Sequence, residues 1–298
     1  DLKLSAYSPK AFFTAACGGI APDVIFLGVH GVTCEDGRLQ GLLELSGIPY
    51  MGSGVMASAI GMDKAMCKRL VETTGIPQLP WLEIHREQIE KDPDLIVRQI
   101  EQQLEYPCFV KPNNGGSSLG TGRADDATSL LKALRNAARF DNVVLVETFV
   151  QARELEVAVL GNDEPLISDA GEIIKNEGVE YYDYKTKYFS EDSSLAIPAP
   201  VEGHLRQRLR DAAKRVWTQI GAAGLARVDF FFDPKHEAIY FNEINTLPGF
   251  TAISLYPQDF ERLGIDQPQL VNYLLVLALE RHEQTKRSYR AEDDVLVQ

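Results

Sequence analysis

The stretch RVDFFFDPKHEAIYFNEINTLPGF, residues 227–250, decides the reading of the chain. Two runs rich in aromatic and branched side chains, RVDFFFD and AIYFNEIN, flank the short polar segment PKHE, which is the pattern of a β-hairpin. Asp229, Glu243 and Asn245 nevertheless lie inside these apolar runs, where a buried carboxylate is costly unless something neutralises it. A turn centred near His236 sets Asp229 directly opposite Glu243, and strand alternation puts Asn245 on the same face as Glu243. Like charges so placed repel, which calls for a cation between them. Three oxygen donors without His or Cys suit Mg²⁺ or Mn²⁺ better than zinc. Because Mg²⁺ ordinarily completes its shell with water and phosphate oxygens, the pattern points to a nucleoside triphosphate. The competing reading is an acidic edge facing solvent and neutralised by Arg227 or Lys235.

Composition narrows the classes. The chain has 298 residues, 45% hydrophobic and 24% charged, as expected of a globular protein with about two domains and room for a third small one. With 30 basic against 43 acidic residues and a net charge of −13, no general affinity for nucleic acid or anionic membrane is expected. A polyanion would have to be bound in a local pocket. Cys17, Cys34, Cys67 and Cys108 are widely spaced with no CxxC pair, so neither a zinc site nor a disulfide framework is suggested and a reducing cytoplasm is the simplest home. No apolar run reaches the ~18 residues of a membrane span.

Along the chain, DVIFLGVH (23–30) reads as a buried parallel strand, DGRLQGLLELSG (36–47) as a helix and IPYMG (48–52) as another strand, together part of an open parallel sheet. ASAIGMDKAMCKRLVETTG (57–75) reads as one helix, and DPDLIVRQIEQQLEYP (92–107) as a long amphipathic one. CFVKP and NVVLVETFV read as strands, with a helix over 126–139 between them. ELEVAVLG, EPLISDAGEI, LARVDFFFD and AIYFNEIN form a mostly antiparallel run with a helix over 203–220. The expected architecture is α/β followed by α+β, divided into residues 1–60, 61–150 and 151–298.

After CFVKP comes NNGGSSLGTG (113–122), whose four glycines and two serines provide backbone N–H groups able to wrap phosphate. No Gly-Lys-Ser follows, so it is not a P-loop, and alone it is more often a plain turn. Lys64 and Lys111, taken singly, are ordinary surface lysines.

The order of these pieces carries more than any one of them. Lys64, then Lys111 with the Gly/Ser loop, then Glu147, then Asp229, Glu243 and Asn245 resembles the ATP-grasp superfamily. HGVTCEDGRLQG, MDK, KPNNGGSSLG, YYDYKTKY, ARVDFF and NEINTLPGFTAISLYP resemble the D-alanine–D-alanine ligase family in particular, over residues 23–265. The resemblance implies an ATP-grasp fold with an N-terminal parallel-sheet domain, with ATP held between two α+β domains. Lys64 and Lys111 would then hold the ATP phosphates under a loop carrying Ser117 and Ser118. Glu147 and Glu154 would flank the hinge strand for adenine and ribose, with Phe149 and Val150 as apolar wall. Asp229, Glu243 and Asn245 match ligands of two Mg²⁺ ions, Glu243 bridging them. Arg227 and the Gly249 amide match groups at the tetrahedral intermediate, Lys187 and Tyr188 match the lid, Ser254 and Leu255 match the site for the second substrate's carboxylate, and His30 falls near the first substrate.

The implied reaction is an ATP-dependent joining of two D-alanines through an acyl phosphate, by a homodimer, for peptidoglycan synthesis. Two readings stand beside it: a ligase taking D-serine or another small amine acceptor, and a nucleotide-binding relative without catalysis. The Lys187–Tyr188 pair favours the dipeptide. The family's N-terminal strand and glycine-rich turn have no counterpart in residues 1–28, and Cys34 stands where HGxxGEDG carries glycine, an expected alteration of that turn.

Overall fold

A computed structural model describes residues 9–175, 193–251 and 253–285. Its elements are α1 (Pro9–Ala16), α2 (Val32–Glu35), α3 (Arg38–Ser46), α4 (Val55–Met62), α5 (Lys64–Glu72), β1 (Trp81–His85), α6 (Arg86–Lys91), α7 (Pro93–Glu101), β2 (Cys108–Pro112), β3 (Gly122–Ala124), α8 (Ala127–Ala137) and β4 (Val143–Thr148). They continue with β5 (Arg153–Gly161), β6 (Leu166–Lys175), β7 (Ser193–Ala196), α9 (Gly203–Ile220), β8 (Gly224–Asp233), β9 (Ala238–Asn245), α10 (Leu255–Arg262) and α11 (Gln267–Thr285).

The strands make two antiparallel sheets, ordered β1-β4-β2-β3 and β7-β6-β5-β8-β9. Each sheet packs one face on helices. Under the first, Ile96, Val97 and Ile100 of α7 and Leu130, Leu134 and Ala137 of α8 meet Val110, Val144 and Val146. Under the second, α9 buries Leu205, Leu209, Ala212, Ala213, Val216, Trp217 and Ile220. That three-and-four spacing is one helical stripe, and it seats on Val157 and Val159 of β5 and Val228 and Phe230 of β8. Fully burying one such large side chain stabilises the fold by ~1.5–3 kcal/mol. Cys67 and Val71 of α5 share this second core.

Three expectations are corrected. The strands expected at 23–30 and 48–52 touch through a single parallel bridge, Ile25 with Tyr50. The Ile25 N–H donates to Pro49 and the Met51 N–H to Ile25, at 2.8 and 2.9 Å, and the pairing stops there. Beyond Ile25 the chain turns toward the 246–250 loop: Phe26 packs edge-on to Phe250 at 5.4 Å, and Leu27, Leu43 and Tyr50 join a core with Leu225, Leu247, Tyr256 and Phe260. The single helix expected over 57–75 is instead α4 and α5, broken at Asp63, whose ψ of 97° is not helical and whose carboxylate caps α5 by accepting from the Met66 N–H at 2.9 Å. The long helix expected over 92–107 ends at Glu101, ahead of Pro107, which disfavours helix in the residue before it.

The hairpin of β8 and β9 pairs Asp229 with Glu243, as expected, and Arg227 with Asn245, but its register shifts between Asp229 and Phe230. Toward the turn, Phe230 pairs with Phe241, so Asn242 is bulged out of the ladder. The turn therefore centres half a residue before His236.

Candidate active site

A cleft of about 820 Å³ opens between the two sheets. Lys64, Lys111, Ser117, Ser118, Glu147, Phe149, Val150, Glu154, Asp229 and Glu243 line it, together with Arg123, Glu156 and Asn242, which the sequence did not single out. Arg227, Asn245, Gly249, Ser254, Leu255 and His30 are not part of that lining, and Lys187 and Tyr188 fall outside the described residues.

The break at Asp63 aims Lys64. Asp63 bridges to Asn114, and the Ala65 N–H donates to Asn113 Oδ1 at 2.8 Å, which ties the first turn of α5 to the glycine-rich loop. Lys64 Nζ then donates to the Gly115 carbonyl at 2.6 Å and stands 3.4 Å from a Glu243 oxygen. In that loop Ser117 and Ser118 both have φ of 55°, left-handed conformations costing on the order of 1 kcal/mol each for a residue with a Cβ.

One helical turn on from Lys64, at Lys68, lies a buried trio. Glu147 of β4 pairs with Lys68 of α5 at 2.7 Å through Oε1 and with Lys111 of β2 at 2.6 Å through Oε2. Burial opposes ionisation of Glu147, but Lys111 and Lys68 outweigh it and hold its pKa down at about 2. Burial lowers the Lys68 pKa, with Glu147 opposing. Lys111 Nζ also donates to Asn242 Oδ1 of the bulge at 3.2 Å, a contact between the two sheets. Lys68 was missed because a helical lysine reads as solvated; its one signal is its position four residues after Lys64. Nearby, the Arg123 guanidinium sits 4.7 Å from the centre of the Phe149 ring, giving that cleft wall a flat cation-on-aromatic surface.

The acidic end is built on β8 and its neighbours. Arg227 donates through Nε and Nη2 to both oxygens of Asp229, each at 2.7 Å, and its Nε stands 3.0 Å from Glu156 of β5. Asn245 Nδ2 donates to Asp229 Oδ2 at 3.0 Å. Asp229 is buried, not a solvent-facing edge, and its neutralising partner is Arg227. Burial raises the Asp229 pKa to about 7; Glu156 and Glu243 add to the rise, and Arg227 opposes it. Three carboxyl groups, Asp229, Glu156 and Glu243, thus gather around Arg227, with Lys64 beside Glu243. No three His, Cys, Asp or Glu side chains form a ready metal cage among the described residues, but the oxygen-only set of Asp229, Glu243 and Asn245 fits a hard divalent cation that brings its own phosphate and water ligands.

Next to this end, Gly249 has ordinary backbone angles, and a Cβ there would meet Ser254 Oγ at 2.9 Å, so close packing accounts for the glycine. Ser254 Oγ accepts from the Thr251 N–H at 3.0 Å. Leu255 is seated on Gly171 of β6, where a Cβ would meet it at 2.6 Å. His30 Nδ1 donates to the Leu247 carbonyl at 2.9 Å, which joins the 30–36 segment to the same loop. Cys34 lies inside the short helix α2, and the turn's left-handed position, φ 98°, falls at Gly31. Asp259 of α10 is buried, and its Oδ2 has no hydrogen-bond partner among the described residues.

Two sheets facing across a cleft, with Lys111 on one wall, an acidic, arginine-backed hairpin on the other and Lys64 reaching between them, define the ATP-grasp class. The family description "D-ala D-ala ligase C-terminus" matches residues 70–276 and "D-ala D-ala ligase N-terminus" matches 8–53. The D-alanine–D-alanine ligases of Acetivibrio thermocellus and Ruminiclostridium cellulolyticum are 47% and 49% identical, each over 90% of this chain and over 70% and 71% of their own length. Among solved structures, the D-alanine-D-alanine ligase from Coxiella burnetii superposes with a TM-score of 0.76 at 33% identity, covering 89% of this chain and 70% of that one. The VanG D-Ala:D-Ser ligase from Enterococcus faecalis does so with 0.78 at 35%, covering 87% and 74%. The chain belongs to the D-alanine–D-alanine ligase family, the ATP-dependent carboxylate–amine ligases of the ATP-grasp fold.

Proposed function

We propose that this chain joins two D-alanines at the expense of ATP, giving D-alanyl-D-alanine for peptidoglycan synthesis. The observation that carries the reading is the set of charges gathered in one cleft: Lys64 and Lys111 beside the Gly/Ser loop, and next to them, with Lys64 3.4 Å from Glu243, the Arg227–Asp229 pair with Glu243 and Asn245. The stacked Arg123–Phe149 surface suits one face of a nucleotide base, and the lysines suit its phosphates. Asp229, Glu243 and Asn245 would hold Mg²⁺, which when bound supplies charge neutralisation for the triphosphate.

The carboxylate of the first D-alanine attacks the γ-phosphorus of ATP, the bond to the bridging oxygen breaks, and ADP leaves with that electron pair. The neutral amine of the second D-alanine attacks the acyl carbon, phosphate departs, and the amine loses its proton. Negative charge grows on the acyl oxygen in that step. Arg227, fixed by Asp229 and Glu156, is pre-aimed to stabilise it without reorganising. Ser254 and Leu255 border the second substrate, His30 the first, and Lys187 with Tyr188 would cover both. The family implies a cytoplasmic homodimer.

A second reading, with D-serine as acceptor, has the likeness to the VanG structure in its favour. The test is phosphate release from ATP and Mg²⁺ with and without D-alanine, then product masses with mixed D-alanine and D-serine. Release that requires D-alanine and gives the dipeptide is expected. A mainly D-Ala-D-Ser product would select the second reading, and ATP binding without acceptor-dependent release would leave a nucleotide binder.

A further inference from the structure

The Lys68–Glu147–Lys111 trio contains two ammonium groups and one carboxylate, with Lys68 Nζ 2.7 Å from Glu147 Oε1 and Lys111 Nζ 2.6 Å from Oε2, close ion pairs to different oxygens. All three are nearly inaccessible, at 2%, 3% and 6% exposure, so little water shares in the balance. The trio therefore holds one positive charge in excess, in a setting where solvent screens it weakly. Only Lys111 and Glu147 reach the cleft; Lys68 does not line it. An ammonium has three donors, and those of Lys111 accounted for go to Glu147 and to Asn242. Without Lys68, the carboxylate would face Lys111 alone, and the pair would present no net charge.

We propose that Lys68 is a positioning residue for anion binding: by engaging Glu147 Oε1 it keeps that carboxylate from cancelling Lys111, so the cleft wall retains its excess positive charge for a ligand's phosphates. The inference rests on the nucleotide reading of the cleft. A lysine that merely tied α5 to β4 would support every ligand alike. Charge balance instead makes its effect specific to phosphate and sensitive to the charge of residue 147.

Calorimetric binding of ATP and of adenosine to the full chain tests this in wild-type protein, Lys68→Met, and Lys68→Met/Glu147→Gln. Lys68→Met should weaken ATP by about tenfold, the size of one lost charge-assisted contact, and adenosine by less than about twofold. The double variant, which frees Lys111 of its carboxylate, should bind ATP more tightly than Lys68→Met. Lys68→Gln, which keeps a donor for Glu147 and so protects the fold, should show the same ATP-selective loss; Lys68→Arg should avoid it. Equal weakening of ATP and adenosine, unchanged ATP affinity, or a double variant no better than the single overturns the inference. Wild-type protein that binds no ATP would overturn the nucleotide reading itself, which separates the two failures.

Discussion

At the scale of single residues, the site is a set of groups whose charges make sense only together. Glu243 faces Asp229 across the hairpin and stands 3.4 Å from Lys64, so Glu243→Gln removes charge from the metal end while keeping the side chain's shape. Turnover should fall on the order of 10²–10³-fold with the melting temperature nearly unchanged, as for loss of one electrostatic contributor to catalysis; full activity in the phosphate-release assay would show that this carboxylate serves no metal. Asp259 is the contrasting case. Burial raises its pKa to about 8, with Glu156 and Asp169 adding and Arg227 opposing. A carboxyl whose folded pKa exceeds its unfolded value of ~3.9 costs nothing below that value; it destabilises the fold progressively as pH rises toward 8. Asp259→Asn should therefore stabilise the fold at pH 8 and not at pH 4, by up to on the order of 1.4 kcal/mol per pH unit inside that window, read as a higher melting temperature at pH 8 alone. An equal effect at both pH values would show that its carboxyl titrates normally.

At the scale of elements, the bulge at Asn242 decides what the hairpin can present. Strict alternation sends neighbouring residues to opposite faces, yet Asn242 and Glu243 both line the cleft. The extra residue allows it: Asn242 meets Lys111 while Glu243 stays opposite Asp229. Deleting Asn242 would regularise the ladder and remove the tie to Lys111. We expect at least a ~100-fold loss in kcat/KM, the scale of a displacement of about 1 Å, with the β-sheet circular dichroism preserved; wild-type kcat/KM in the deletion variant would mean the bulge is incidental. The sequence carried a sign of this, because the buried positions in AIYFNEIN change phase, Ile239 and Phe241 on one side of the break and Ile244 on the other. Asp229, Glu243 and Asn245 were legible because three oxygen donors in apolar strands break the burial pattern. Lys68 and Glu156 were not, since their meaning comes from partners on other elements. The helix break at Asp63 was also hidden: ASAIGMDKAMC has helical periodicity on both sides, and only the capping contact to Met66 and the bridge to Asn114 show where the chain turns.

At the scale of the whole molecule, the cleft lies between two separately packed cores, one within residues 82–146 and one centred on β5, β8 and α9. The polar ties that cross it include Lys111 to Asn242 and Lys64 between Gly115 and Glu243. A nucleotide lying along the cleft would add contacts to both walls at once and so resist their separation. Binding to the folded state alone stabilises it by ~2.7 kcal/mol at a ligand concentration 100 times Kd, which for a chain this long corresponds to a rise of roughly 5 °C in melting temperature. ATP with Mg²⁺ should give that rise in the wild type. Lys111→Met, which removes the ammonium from the cleft wall yet leaves Lys68 to pair Glu147, should lose most of it at the same ATP concentration. If Lys111→Met is stabilised by ATP as strongly as the wild type, the triphosphate does not lie against β2, and the lysine wall serves the fold rather than the ligand.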